Sequence, residues 1–178
     1  MSQPSSTLKV AVADRAVCVK ISGKANFTNS LDLKKLVHEL SERGYQRFIL
    51  DLSDCTLMDS TFLGVLAGVG LKFSSNGEPN GSVEVYNPNT RIKDLLENLG
   101  VLHLFKMANV GAVPDNAYQP VSNDGEQPTR TEVTRTCLEA HQILMQINPE
   151  NVRKFKDVAQ FLAEDLKKLE GQETKVAG

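Results

Sequence analysis

The sequence predicts an α/β fold, a mixed β-sheet of four to five strands with helices packed on it, followed by a C-terminal α-helical hairpin. Near the start, apolar residues alternate with other residues in two short runs, which is typical of a β-hairpin. Short apolar runs then alternate with segments of helical apolar spacing, as in α/β proteins. Two further amphipathic segments, after a polar stretch that contains several prolines, predict the helical hairpin.

The first predicted elements are a β-hairpin and a helix. A tight turn at Asp14-Arg15 joins the two strands. Their alternating apolar positions are Leu8, Val10, Val12, Val17, Val19 and Ile21. A loop of helix-capping residue types follows, and a helix is expected to begin between Thr28 and Ser30 and to end at Gly44. The apolar stripe of this helix is Leu33, Leu36, Val37 and Leu40.

The central stretch, 48–66, combines a strand, a polar turn and a helix start. The apolar run from Phe48 to Leu52 predicts a buried strand. Asp59-Ser60-Thr61, three capping residue types, directly precede an apolar segment with helical spacing. A hydroxyl at that point lies beside free N–H groups and the positive end of a helix dipole, which is a good place for a phosphate. The alternative interpretation is that Ser60 only caps the helix.

A further strand and helix complete the predicted sheet. Residues 74–81 form a loop by composition. Val83 and Val85 predict a fourth strand, and Asn87-Pro88-Asn89 predicts the start of a helix that Gly100 ends. The order β-β-α-β-α-β-α predicts a mixed sheet covered by helices.

Two motifs resemble the STAS domain of bacterial anti-sigma-factor antagonists. The first is Asp59-Ser60-Thr61 followed by Leu63-Gly64-Val65-Leu66, after a strand that ends in Leu50-Asp51-Leu52-Ser53. The second, at 95–105, is similar to the closing pattern of that family, a helix that ends in leucine and glycine and then a hydrophobic pair. The order of elements also matches, and the resemblance covers Leu8 to Met107.

The resemblance implies that Ser60 is a phosphorylation site. In this family a partner anti-sigma kinase phosphorylates the serine that follows the aspartate. The residues expected to contact a partner are Asp59, Ser60, Thr61, Phe62, Asn26 and Lys24. Phe62 departs from the family pattern, which usually has glycine there, and Asn26 and Lys24 lie in a loop where the family commonly has acidic residues.

The chain changes character after the region of resemblance. A proline-containing polar stretch too long for an ordinary internal loop predicts a linker at 109–129, between a STAS domain at 8–108 and a helical hairpin at 130–170. Asn148-Pro149-Glu150 predicts the start of the second helix of the hairpin. The apolar stripe of that helix is Val152, Phe155, Ala159, Leu162, Leu166 and Leu169. Three interpretations are open: the hairpin docks on its own domain, forms a homodimer, or binds a partner protein. The tail from Gly171 is expected to be disordered.

Composition argues against several kinds of partner. The net charge of −2 and the absence of tryptophan give no reason to expect nucleic-acid binding. No segment approaches the roughly 20 apolar residues of a membrane-spanning helix. The first residues lack the pattern of a secretory signal. Three widely spaced cysteines indicate a reducing compartment, so a cytoplasmic protein is predicted.

The motifs of common enzyme classes are absent from the sequence. Ser60 is not in a Gly-x-Ser-x-Gly elbow, and His38, His103 and His141 are interpreted as surface or packing residues. There is no phosphate-binding loop, no complete dinucleotide fingerprint and no zinc-ligand spacing. We therefore predict a protein that is not an enzyme and that holds no metal and no cofactor.

The predicted function is that of a partner-switching regulator. The chain is expected to bind an anti-sigma factor or regulatory serine kinase, to be switched off by phosphorylation of Ser60, and to depend on a phosphatase for reversal. One alternative is a non-phosphorylated scaffold that assembles through the C-terminal helices. A less favoured alternative is a small-ligand or nucleotide-binding module.

Overall fold

The computed structural model describes residues 6–75, 81–109, 113–121 and 127–177. The strands are β1 (Thr7–Ala13), β2 (Ala16–Ala25), β3 (Arg47–Asp51), β4 (Cys55–Met58), β5 (Ser82–Tyr86), β6 (Lys106–Met107) and β7 (Gln119–Pro120). The helices are α1 (Phe27–Glu42), α2 (Ser60–Ser75), α3 (Thr90–Asn98), α4 (Arg130–Ile147) and α5 (Asn151–Ala177). The loop predicted at 74–81 lies partly outside the described residues, as do parts of the predicted linker and the first five residues.

The predicted mixed α/β sheet is confirmed. Its strand order is β6-β5-β3-β2-β1-β7, and β4 pairs with the end of β2 off this path. The β1–β2 pair is antiparallel, and β2, β3 and β5 run parallel in register. Four of the strands coincide with predicted ones, whereas β4, β6 and β7 are short additions that the sequence patterns did not reveal. The turn between β1 and β2 has positive φ at both Asp14 (50°) and Arg15 (65°), as a two-residue turn of type I′ requires.

One face of the sheet and helices α1 to α3 enclose the main core. Its largest fully buried side chains include Phe48 and Phe62, together with Leu50 on β3 and Leu66 on α2. Because strand residues alternate between faces, Ala11 and Cys18 point to the opposite face, where they form a small cluster with Tyr118. Burial raises the pKa of Tyr118 to about 12.

Part of the predicted linker packs on the sheet. Tyr118 lies between a short 3-10 turn, Asp115–Ala117, and β7, which pairs with Lys9 and Val10 of β1. The carboxylate of Asp115 accepts a hydrogen bond from Lys20 Nζ at 2.8 Å. This segment therefore covers an edge of the sheet as well as connecting it to α4.

The predicted C-terminal hairpin is present, with α4 packed against α2 and α5 packed against α4. Thr129 and Glu132 form a capping box at the start of α4. The second helix begins at Asn151, two residues after Pro149, the predicted first helical residue, and the Asn148 side chain accepts a hydrogen bond from the Glu150 N–H.

The prediction of a disordered tail from Gly171 is wrong, since α5 continues to Ala177. Glu173 Oε1 accepts a hydrogen bond from the Thr131 hydroxyl at 2.6 Å, and the Glu170 carboxylate pairs with Arg135 at 2.8 Å. These two contacts fasten the last turns of α5 to the first turns of α4.

A bidentate ion pair joins β3 and β5. Arg47 donates from Nε to Glu84 Oε1 at 2.7 Å and from Nη2 to Oε2 at 3.2 Å. The guanidinium holds the pKa of Glu84 below its ordinary value, chiefly through this hydrogen bonding. Since the carboxylate is mostly buried and the guanidinium is partly exposed, solvent screens the pair only partially.

Glu84→Gln is expected to reduce the loss of stability in acid. A carboxyl with a depressed folded-state pKa contributes stability above the pKa of the unfolded chain and loses that contribution as the pH falls through the folded-state value. The contribution of this partly exposed pair is about 1 kcal/mol or less. Urea unfolding at about pH 7 and about pH 3 should show a smaller loss in Glu84→Gln than in the wild type. Equal losses would contradict the assigned ion pair.

Candidate functional site

Asp59 joins the first turns of two helices. Its Oδ1 accepts a hydrogen bond from the Phe62 N–H at 2.8 Å, which caps α2. Its Oδ2 accepts one from the Phe27 N–H at 2.9 Å, in the first turn of α1. The Asp59 N–H donates to the Ala25 carbonyl at the end of β2 at 3.0 Å. The cap of α2 is therefore Asp59, and Ser60 is the first residue of the helix, contrary to the alternative interpretation of Ser60 as a cap.

Ser60 lies half-buried at the positive end of the α2 dipole and contacts a histidine of α4. Its Oγ is 2.9 Å from His141 Nε2, and His141 Nδ1 is 2.6 Å from the Cys137 carbonyl oxygen. A carbonyl oxygen can only accept, so Nδ1 carries the proton and, in a neutral ring, Nε2 accepts from the Ser60 hydroxyl. The imidazole is buried and lies edge-on to the Phe155 ring at 5.2 Å.

α4 packs closely on α2 beside this contact. A Cβ added at Gly64 would overlap the backbone of Ala140 and would lie 2.6 Å from the Ala140 Cβ, so the two helices approach here to backbone distance. One turn nearer the start of α2, Thr61 is buried and lies close to the thiol of Cys137. Burial raises the pKa of that thiol, and the polar interaction with Thr61 acts in the opposite direction.

The structure brings four of the six residues that the sequence predicts as partner contacts to the surface. Asp59 and Ser60 lie at the start of α2, and Asn26 caps α1 beside them by accepting from the Thr28 N–H at 3.0 Å. Lys24 is exposed at the end of β2.

The other two predicted contact residues are not available on this surface. The side chain of Phe62 is wholly buried in the core, because the third residue of α2 faces the sheet, so it cannot reach a partner while the domain is folded. Thr61 is covered by α4.

The sequence patterns missed two residues of the site. His141 was predicted to be a surface or packing residue, and it contacts Ser60 from 81 positions away in the chain. It follows Cys137 by four residues, so it shares the buried face of α4, which is the signal that could have found it. Phe27 is the other, with its side chain 46% exposed next to Asp59.

The site contains a hydroxyl and an imidazole, and the imidazole is not backed by a carboxylate. The Nδ1 atom of His141 contacts the backbone carbonyl of Cys137, whereas the corresponding nitrogen in hydrolases commonly contacts a carboxylate. A groove of about 630 Å³ lies between α1, α2 and α4, and neither Ser60 nor His141 lines it. Within the described ranges, no three His, Cys, Asp or Glu side chains are arranged to hold a metal ion. In the same part of the chain, no helix combines the length and apolar character needed to cross a membrane.

Comparison with protein families gives one match for the sheet-containing part of the chain. The model of the STAS domain matches residues 7–112, which include Ser60 and the sheet up to β6. Helices α4 and α5 lie outside the match. The chain matches none of the curated proteins with which it was compared.

Several solved structures are similar to the chain. A candidate anti-sigma factor antagonist from Thermotoga maritima is 25% identical, with a TM-score of 0.51 over 58% of this chain and 86% of that one. An anti-sigma factor antagonist from Mycobacterium paratuberculosis is 19% identical, with a TM-score of 0.51 over 66% of this chain and 95% of that one. The anti-sigma factor antagonist SpoIIAA in its unphosphorylated form is 13% identical, with a TM-score of 0.50 over 57% and 88%. The last two likenesses establish the fold alone.

Proposed function

This chain belongs to the STAS domain family, and we propose that it is a non-enzymatic regulator, an anti-sigma-factor antagonist of the cytoplasm. In this proposal it binds an anti-sigma factor that is also a serine kinase, phosphorylation of Ser60 ends the binding, and a phosphatase restores it. The observation that carries the proposal is the place of Ser60, a half-buried hydroxyl that opens α2 directly after its capping aspartate. The similarity to anti-sigma factor antagonists supports the choice of partner class.

A phosphate on Ser60 is compatible with the folded domain but unfavourable in a protein interface. Phosphorylation adds a charge of about −1.5 to −2 at pH 7. At the first residue of α2 this charge interacts favourably with the helix dipole. In an interface the same charge loses its water next to the carboxylate of Asp59, at a cost of several kcal/mol unless the partner supplies a cation. Phosphorylation therefore weakens binding without requiring the domain to unfold.

The surface proposed for the partner lies where α1 and α2 begin. The carboxylate of Asp59 binds the first turns of both helices, so this surface is rigid. Phe27, whose N–H donates to Asp59, offers an exposed aromatic residue, and aromatic residues commonly anchor protein interfaces. Lys24 and Asn26, where the family commonly has acidic residues, give this surface a different charge and so favour a kinase with a matching acidic or neutral contact surface.

The experiment combines phosphorylation and binding of the full chain. Each anti-sigma serine kinase of the same cell is incubated with the chain and ATP, and phosphopeptides are identified by mass spectrometry. We expect phosphate on Ser60 and, in calorimetry with that kinase, about tenfold or greater loss of affinity in Ser60→Asp. Ser60→Asn, which has the same shape without the charge, is the matched control and should bind within about threefold of the wild type. An unmodified Ser60 with every such kinase, or equal affinities of the two variants, would reject the switch.

The scaffold is the second candidate function, and one observation favours it. Val158 and Phe161 are exposed on α5, Phe161 to 68%, away from the face that packs on α4. Assembly through these residues would make the protein a homodimer. Light scattering over a range of concentrations tests this candidate. A stable dimer, equally populated in Ser60→Asp and in the wild type, supports the scaffold, and a monomer rejects it.

A further inference from the structure

We propose that the α4–α5 hairpin closes over Ser60 in cis, and that the closed hairpin and a phosphate or partner on Ser60 exclude one another. The significance of this inference rests on the proposed function. Its first test, however, requires neither a kinase nor a partner. The hairpin lies outside the part of the chain that matches the STAS domain, so it is an addition that acts on the surface of that domain.

His141 occupies the space that a phosphoryl group on Ser60 requires. Its Nε2 lies 2.9 Å from the Ser60 Oγ, which is hydrogen-bond distance and leaves no room for a phosphorus atom and three oxygens between them. Transfer from ATP likewise requires the phosphoryl donor in line with the same oxygen. The hydroxyl can therefore be modified only after His141 has moved away.

His141 cannot make this room by a small shift of α4 along α2. Next to it, Ala140 is 1% exposed and packs directly on the backbone of Gly64, and Ile143 packs over Gly68. Sliding would drive Ala140 into the larger side chains that flank Gly64. Because packed helices change position as units, His141 leaves Ser60 when α4 separates from α2.

In the part of the chain that the structure describes, few polar contacts hold α4 against α2 near Ser60, and apolar packing, with Leu144 of α4 in the main core, provides the rest of the closure. The ion pair between Lys34 and Glu139 measures 3.0 Å, but both side chains are about half-exposed, and such pairs contribute little. A phosphate directly removes the Ser60–His141 hydrogen bond. A phosphate also brings negative charge beside the carboxylate of Asp59, where both groups are half-buried and water screens the repulsion less than on an open surface.

Cys137 provides a native probe of closure, because its half-buried thiol lies between α4 and Thr61. The test measures alkylation of each cysteine by iodoacetamide, with peptide mass spectrometry, in full-length Ser60→Asp and Ser60→Asn. We expect Cys137 to react about tenfold faster in Ser60→Asp, because the buried charge favours the open hairpin. Cys18 and Cys55, buried in the sheet domain, are internal controls and should react at equal rates in both variants.

Two outcomes of this test overturn the proposal. Equal Cys137 rates in Ser60→Asp and Ser60→Asn would show that charge at this position does not open the hairpin. A slower rate in Ser60→Asp, together with slower amide hydrogen exchange in α4, would show that the charge holds α4 in place. Amide hydrogen exchange of α4 provides the second measurement, and faster exchange in α4 with unchanged exchange in β3 is the expected result.

A reversible cross-link tests whether closure blocks phosphorylation. Thr61→Cys introduces a second thiol close to Cys137, and titration of free thiols after mild oxidation verifies that a disulfide joins α2 to α4. With the serine kinase and ATP, the oxidised variant should lose at least about nine-tenths of its Ser60 phosphorylation, and a thiol reductant should restore it. The matched control, Thr61→Cys with Cys137→Ser, cannot form the link and should not respond to oxidation.

The two arms separate failure of the inference from failure of the proposed function. Equal phosphorylation of the oxidised and reduced cross-link variant overturns the inference. If the reduced variant and the wild type are both unphosphorylated, the proposed function fails. The alkylation rates then still decide whether charge at Ser60 opens the hairpin.

Discussion

Gly64→Ala is expected to lower the free energy of unfolding by about 1–3 kcal/mol and to loosen α4 from α2, because the added methyl group overlaps the backbone of Ala140. A backbone cannot move aside as a flexible side chain can, so α4 as a whole must shift. In an isolated helix the same substitution is stabilising by up to about 1 kcal/mol. A net loss of unfolding free energy in Gly64→Ala is therefore due to the contact between the helices. Urea unfolding measures this loss, and the alkylation rate of Cys137 measures how far α4 has loosened from α2.

Gly68→Ala is the matched control for this prediction. Gly68 lies one turn further along α2, and a Cβ there meets only Ile143 Cδ1, at 3.0 Å. That atom is the far end of a flexible side chain, so it can move aside, and the stability of the variant should equal or exceed that of the wild type. If Gly64→Ala and Gly68→Ala have the same unfolding free energy, the close approach at Ala140 does not hold the hairpin.

Asn151→Asp is expected to destabilise the protein by about 3–5 kcal/mol at pH 7. Asn151 is completely buried, and its Nδ2 donates to the Leu99 carbonyl at 2.9 Å and to the Leu144 carbonyl at 2.8 Å. It thereby joins the end of α3 to α4. A carboxylate here loses both donors and places a buried negative charge against two carbonyl oxygens.

Asn151→Ala is the control, and its smaller expected cost of about 1–3 kcal/mol comes from two unpaired carbonyls without a buried charge. In the described part of the chain, the Asn151 Oδ1 atom has no hydrogen-bond partner, so its removal costs nothing further. The difference between the two variants should shrink in acid, since a protonated carboxyl is neutral and can donate one hydrogen bond. Equal unfolding free energies of Asn151→Asp and Asn151→Ala at neutral pH would contradict the assignment.

The parts of the fold that sequence could predict are those with a clear apolar period. The alternation around Val17, Val19 and Ile21 and the apolar run from Phe48 predict strands that the structure contains. The short strand β4 has no such signal, because Thr56 is exposed and only three of its residues pair with the end of β2. The helix beyond Gly171 is stabilised by contacts with the start of α4, and such tertiary contacts leave no local pattern.

Only the part of the candidate site at the start of α2 could be predicted from the sequence. Asp59-Ser60 is a local motif, and its position at the start of α2 follows from capping chemistry. The contact with His141 depends on how α4 docks, and the sequence left docking in cis and self-association both open. Phe62 is buried because the first turn of α2 is oriented about the helix axis so that its third residue faces the sheet. A capping residue predicts where the helix begins but not this orientation.

β7 has a consequence for how this protein can associate with itself. The strand is only two residues long, and Pro120, paired with Lys9, has no N–H to offer to a further strand. A sheet that ends in this way resists edge-to-edge growth, which is the route to fibrils and to β-linked dimers. Copies of this chain that meet at this side must therefore join through side chains, so their contact can be weakened by point substitutions without disturbing the sheet.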